Sequence, residues 1–176
     1  LSDLAEAIRL NPNYGWPRQN RSILFGSLQE WDHALIDSDA AVSLDPQEAE
    51  FLRQRAHIKT CLRDYAGGIQ DLDAALALQP DHVPSLCQRA SAKQRLQLHE
   101  QALADIEHAL QLDSQRIETL RLKAWIHSCA GAYDRQLETF EQAVRLRPRD
   151  SHLLYARSLA KENMGRHEEA IADCDK

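Results

Sequence analysis

The sequence predicts an all-α protein built as an array of antiparallel helix hairpins. A short phrase recurs along the chain: IRLNP ends at Pro12, VSLDP at Pro46, LALQP at Pro80, LQLDS at Ser114 and VRLRP at Pro148, 34 residues apart each time. Between these marks, apolar residues recur at helical spacing in two blocks per interval. When the intervals are stacked, small residues fall into fixed columns. A two-helix unit repeated at such a period cannot bury its apolar face alone, so neighbouring units must supply the rest of the core.

Residues 2–10 read as the second helix of a partial hairpin. Full repeats are expected over 15–48, 49–82, 83–116 and 117–150, with a partial repeat over 151–176. In the second repeat, Leu52, Ala56, Cys61 and Leu62 mark the first helix, and Ile69, Leu72, Ala75, Leu76 and Leu78 the second. Arg63 and Asp64 form the turn between them, and Pro80 stops the second helix because it cannot continue the hydrogen-bond ladder. Pro17 and Pro84 fall in the first turn of first helices, where a missing N–H costs little. Small columns (Ala41, Ala75, Ala109, Ala143; Ala34, Gly68, Ala102, Gln136, Ala170; Ser22, Ala56, Ala90, Ala124, Ser158) let helix axes approach closely. Leu52, Leu86, Leu120 and Leu154 on first helices fill the gaps beside them, as do Trp31, Tyr65 and Tyr133 at the start of second ones. Both ends fall inside a hairpin without a polar cap, which suggests a segment of a longer chain whose uncapped terminal repeats are open to self-association.

Composition narrows the function classes. A hydrophobic content of 43% with 27% charged residues fits a folded chain. No apolar run approaches the roughly 18 residues of a membrane span, and the first residues have no signal-peptide pattern. The four cysteines form no CxxC pair. Cys61 and Cys129 share a column two repeats apart, beyond the roughly 7 Å that a disulfide bridges. Free thiols favour a reducing compartment such as the cytoplasm. Neither an HExxH motif, a Gly-rich phosphate loop nor a placeable nucleophile–base pair occurs, so no metal, cofactor or catalytic role is expected.

The row LRQRA at 52–56, with Tyr65, Gly68, Leu72, Ala75 and Pro80, resembles the tetratricopeptide repeat (TPR). The resemblance runs over essentially the whole chain. It implies a right-handed α–α superhelix, a TPR solenoid, with first helices lining a concave groove and second helices on the outer face. Three positions depart from the pattern: Arg18 replaces the column leucine, Gln136 a small residue, and Ser114 the proline. Packing in the first and fourth repeats is therefore expected to be looser or tilted.

The net charge of −6 conceals a segregation. First helices hold twelve Lys and Arg against three Glu, while second helices hold three basic residues against fifteen acidic ones. One basic column (Arg21, Arg55, Arg89, Lys123, Arg157) faces an acidic one sixteen residues on (Asp37, Asp71, Asp105, Thr139, Asp173). That regularity favours ion pairs between packed helices over a free basic surface.

The family's groove-facing stripe carries over to Trp16, Gln19 and Ile23, then to Glu50, Arg53, His57 and Thr60. It continues through Cys87, Ser91 and Gln94 to Glu118, Arg121, Trp125 and Ser128, and ends at His152, Tyr155 and Leu159. Steps of three and four residues hold each set on one face. Arg53, His57, Ser91, Arg121, Trp125 and Tyr155 are the chosen partner-binding residues, with Trp125 beside Arg121 as the aromatic and cationic mixture of many interface anchors. Chaperone-binding members of the family grip a C-terminal carboxylate with matched Lys, Arg and Asn sets, which no window of three repeats here reproduces. The expected function is a non-catalytic scaffold for a protein or peptide partner, an acidic one being suited to the basic first helices. The alternative is the regulatory arm of an enzyme whose catalytic domain lies elsewhere. Overall acidity without a dense basic run argues against nucleic acid.

Overall fold

The computed structural model describes residues 2–174, the side chain of Cys174 excepted; the last two residues of the final predicted helix lie outside them. Every regular element among the described residues is an α-helix. The chain divides into two compact units, 1–96 and 97–176. The first contains α1 (Ser2–Leu10), α2 (Gly15–Ser27), α3 (Trp31–Leu44), α4 (Ala49–Cys61), α5 (Tyr65–Leu78) and α6 (Val83–Arg95). The second contains α7 (His99–Leu112), α8 (Ile117–Cys129), α9 (Tyr133–Leu146), α10 (Ser151–Asn163) and α11 (His167–Cys174). No described helix is long and apolar enough to cross a membrane.

Within each unit, every helix packs on the next one along the chain, and α4 also touches α2 and α6. In the first unit, Ala41 and Val42 of α3 meet Phe51 and Leu52 of α4 and Ala75 of α5. In the second, Ile117 and Leu120 of α8 pack with Ala143 and Val144 of α9 and Leu153 and Leu154 of α10. The small columns are the crossing points. Ala34, Ala41, Ala56, Ala90, Ala102, Ala109, Ala124 and Ala143 have no exposed surface. At Gly68 a Cβ would meet the Thr60 methyl at 2.7 Å and the Ala56 carbonyl at 3.2 Å, so α5 crosses α4 closely enough to require glycine there. Column leucines 52, 86, 120 and 154 are all buried. Tyr133 is not the gap filler expected of it: it stays 42% exposed, its ring left at the surface where α9 begins.

The hairpin turns repeat as strictly as the helices. A left-handed residue stands at 29, 63, 97, 131 and 165, with φ between 60° and 73°. Gly131 and Gly165 take this conformation without cost, but Gln29, Arg63 and Gln97 carry a Cβ into it. The next N–H then reaches back to a carbonyl five residues earlier: Glu30 to Phe25 at 2.9 Å, Asp64 to Lys59 at 2.8 Å, Ala132 to His127 at 2.9 Å and Arg166 to Lys161 at 2.9 Å. This is the Schellman arrangement, which satisfies a terminal carbonyl that the helix ladder leaves open.

Second helices end alike with or without proline. Asp45, Gln79, Asp113 and Arg147 each donate to the alanine carbonyl four residues back, at 3.1, 2.9, 3.0 and 3.0 Å. Ser114 therefore leaves the turn unchanged. Arg18 acquires a role of its own, since its guanidinium comes within 4.0 Å of Asp37 as a second cation. Gln136 is buried in its small-residue column, with its amide oxygen unpaired.

Candidate functional site

Except at Lys123, the basic column is a row of ion pairs. Arg21 donates through Nε and Nη2 to both oxygens of Asp37, at 2.6 and 2.7 Å. Arg55 grips Asp71 in the same two-bond manner, at 2.8 and 2.6 Å. Arg157 holds Asp173 likewise, with Nε to Oδ2 at 2.8 Å. The pairs also reach between repeats, with Arg55 to Asp39 at 3.2 Å and Arg89 to Asp73 at 2.7 Å. Lys59 and Lys161 add a second cation to Asp71 and Asp173, at 2.9 and 2.8 Å. Burial pushes the Asp173 carboxyl up, but hydrogen bonds from Arg157 and Lys161 outweigh it and bring the pKa down to about 2. The Asp71 hydrogen bonds hold Arg55 above its ordinary value against the opposing effect of burial. These cations lock helices together and are not offered to a ligand.

The predicted stripe divides under this geometry. Among the described residues, fully buried Gln19 has a partner for neither amide atom, and buried Gln94 has none for its amide oxygen. Both leave the groove surface that the family resemblance implied for them, because the helix face at those places is covered. Trp16 stays partly exposed and sets its ring edge-on to Phe51, with centroids 5.0 Å apart.

In the first unit, Arg53 is engaged: its guanidinium bonds Glu50 at 2.6 and 3.0 Å and the Gln79 amide oxygen at 2.9 Å. Burial lowers the pKa of His82, Arg53 lowers it further, and Glu50 opposes them. His57 is exposed, lies edge-on to Trp31 with centroids 6.3 Å apart, and has Nε2 3.8 Å from Cys61 Sγ. The Cys61 thiol is pushed up by burial, which removes rather than adds nucleophilic character. Ser91 lies elsewhere, in a small cleft of about 220 Å3 with Thr60, Cys61, Tyr65 and Arg95. In the first unit Ser91 thus shares its cleft with the stripe residue Thr60, while Arg53 and His57 do not line it.

The second unit brings two of them together. Arg121 and Trp125, one helical turn apart on α8, line a cleft of about 510 Å3 with Glu118, Leu122, Phe140 of α9 and Ala156 of α10. Arg121 is exposed and Trp125 half-buried. Among the described residues Arg121 has no ion-pair partner, in contrast to Arg53 in the equivalent place. Tyr155 is 60% exposed and does not line this cleft. Phe140 is the member that the stripe missed, because it belongs to a second helix; its signal was only that an aromatic stands where other repeats carry Ile106 or Leu72. Among the described residues no group of His, Cys, Asp and Glu is placed to hold a metal ion, and Cys61 and Cys129 are free thiols.

Residues 83–116 and 151–176 match the model of the tetratricopeptide repeat family. Those two stretches carry the family's repeat pattern. Solved structures agree on the fold. A TPR protein from Parabacteroides merdae ATCC 43184 superposes with a TM-score of 0.85 at 23% identity, over 98% of this chain and 68% of that one. YrrB, described as a TPR protein with an unusual peptide-binding site, gives 0.75 at 19% identity, over 98% and 89%. MamA from Desulfovibrio magneticus RS-1 gives 0.79 at 16% identity, over 90% of each chain. No curated protein matches the sequence. The likeness is to the helical hairpin array of these TPR proteins, at identities where it speaks for the fold alone.

Proposed function

We propose that the protein is a non-catalytic interaction scaffold that binds a peptide segment or partner helix on the exposed stripe of its first helices. The observation that carries the reading is Arg121 on α8. It is a stripe cation with no ion-pair partner among the described residues, set beside Trp125, Leu122 and Phe140 in an open cleft. A half-buried aromatic next to an uncommitted guanidinium can bury an apolar side chain of a partner and pair a neighbouring carboxylate. The peptide-binding description of YrrB is in keeping with this use of the fold. Arg53, His57, Ser91 and Tyr155 are the remaining proposed contacts, of lesser weight because Arg53 is already engaged and the others lie apart.

The test compares proteins captured from source lysate by the unaltered chain with those captured by an Arg121→Glu, Trp125→Ala variant, both verified as equally helical by circular dichroism. Specific partners are expected to disappear with the variant and to persist with Arg53→Ala. A captured set that is indifferent to Arg121 and Trp125 removes the reading.

A further inference from the structure

The fourth repeat breaks the ion-pair column in a specific way. In the second and fifth repeats, an arginine and the lysine four residues later converge on one buried aspartate: Arg55 and Lys59 on Asp71, Arg157 and Lys161 on Asp173. The corresponding trio in the fourth repeat is Lys123, His127 and Thr139. Both nitrogen-bearing positions keep a nitrogen base, while the carboxylate is gone. Thr139 Oγ1 donates to the Arg135 carbonyl at 2.7 Å and supplies no negative charge. Among the described residues Lys123 has no ion-pair partner. His127 is only 4% exposed, and among the described residues its ring has no hydrogen bond.

These side chains line a cleft of about 810 Å3 between α7, α8 and α9, away from the residues of the Trp125 cleft. Arg135 and Arg145 of α9 also border it, as do Glu100 and Glu107 of α7 and Glu138 and Glu141 of α9. None of these charged groups forms an ion pair among the described residues. Burial lowers the His127 pKa, Lys123 and Arg135 lower it further, and Glu107 and Glu138 pull it back. An uncharged imidazole and an uncommitted ammonium thus stand where other repeats converge on a carboxylate.

We propose that this cleft binds a carboxylate side chain from an extended protein segment, seated between Lys123 and His127 where Asp71 and Asp173 stand in their own repeats. Nitrogen donors around a buried acceptor make charge-assisted hydrogen bonds, and an anion entering there favours the protonated imidazole. The surrounding glutamates fix the rest of the ligand's character. With three cations against four carboxylates, the rim repels an all-acidic segment and suits an acidic residue flanked by basic ones. A segment is chosen over a small dicarboxylate because the uncommitted charges extend across α7 and α9, beyond the reach of a single small anion.

The test uses the full chain at neutral pH and follows the His127 ring resonances by NMR. Acetylated, amidated Lys-Glu-Lys is expected to shift them saturably and to raise the His127 titration midpoint, with Lys-Gln-Lys at least tenfold weaker. Thr139→Asp, which supplies the carboxylate within the chain, is expected to abolish the response while raising the melting temperature. Lys123→Met serves as a second variant and is expected to weaken binding at least tenfold. Equal response to the Gln peptide, no saturable response, or a response that survives in both variants overturns the site. Glutarate binding as tightly as Lys-Glu-Lys overturns the assignment to a protein segment.

Discussion

Asp71 is 5% exposed and holds Arg55 and Lys59, so removing its charge strands two cations in a partly buried place. Asp71→Asn is expected to cost about 3–5 kcal/mol in denaturant unfolding, whereas joint replacement of Arg55 by Met, Lys59 by Met and Asp71 by Leu stays close to neutral. Asp173 gives the same network a pH signature. Its folded pKa of about 2 lies below the ordinary 3.8, so its contribution is complete above about pH 4 and fades as pH falls toward 2. That contribution is about 2 kcal/mol, and a carbon-detected carboxyl titration should place the Asp173 midpoint at about 2. The sixteen-residue pairing was legible in the sequence because one residue type repeats in each column. The bonds from Arg55 to Asp39 and from Arg89 to Asp73 were not, because they depend on how one hairpin sits on the next. Gln19 and Gln94 show the same limit: periodicity gives a residue its face, while the neighbouring helix decides whether that face is covered.

Turns and crossings hold the separable energies of the helices. Arg63 adopts a φ of 65°, a conformation that costs a residue bearing a Cβ about 1–2 kcal/mol. Arg63→Gly should raise stability by about 1 kcal/mol, seen as a melting temperature higher by roughly 2–4 °C for a chain of this size, and Gln29→Gly should act alike. Gly68→Ala tests the opposite case. Its helix propensity improves by about 1 kcal/mol, but the new Cβ strikes the Thr60 methyl, and the expected net effect is destabilising. Adding Thr60→Ser should restore much of the loss, which separates the clash from any backbone effect. The sequence revealed where the turns lie through Arg63 and Asp64, yet the left-handed residue was hidden in three repeats by a side chain in place of glycine. Pro80 and Pro148 looked like the stop signals of second helices, but the unchanged turn at Ser114 shows that the stop rests on the backbone.

Across the molecule, stability should be divided as finely as the contacts are. Within each unit every helix rests on its immediate neighbours, so a core deletion is felt locally. Leu120→Ala, at a site with no exposed surface, is expected to cost about 2–5 kcal/mol. Hydrogen exchange should then accelerate in α8, α9 and α10 while α3 and α4 keep their protection; a uniform loss along the chain would show all-or-none unfolding instead. The hairpin array was readable from one sequence because its period is strict. The candidate cleft was readable only in part, since Arg121 and Trp125 lie on one helix and Phe140 and Ala156 reach them from two others.

The pairing of residues only sixteen positions apart has a consequence for how the chain comes into being. Loops that close over such short spans cost little entropy, and chains rich in nearby contacts fold in microseconds to milliseconds. Synthesis proceeds at about 5–20 residues per second, so one 34-residue hairpin takes seconds to emerge. Within each unit, a hairpin therefore has time to close and dock on its predecessor before the next leaves the ribosome.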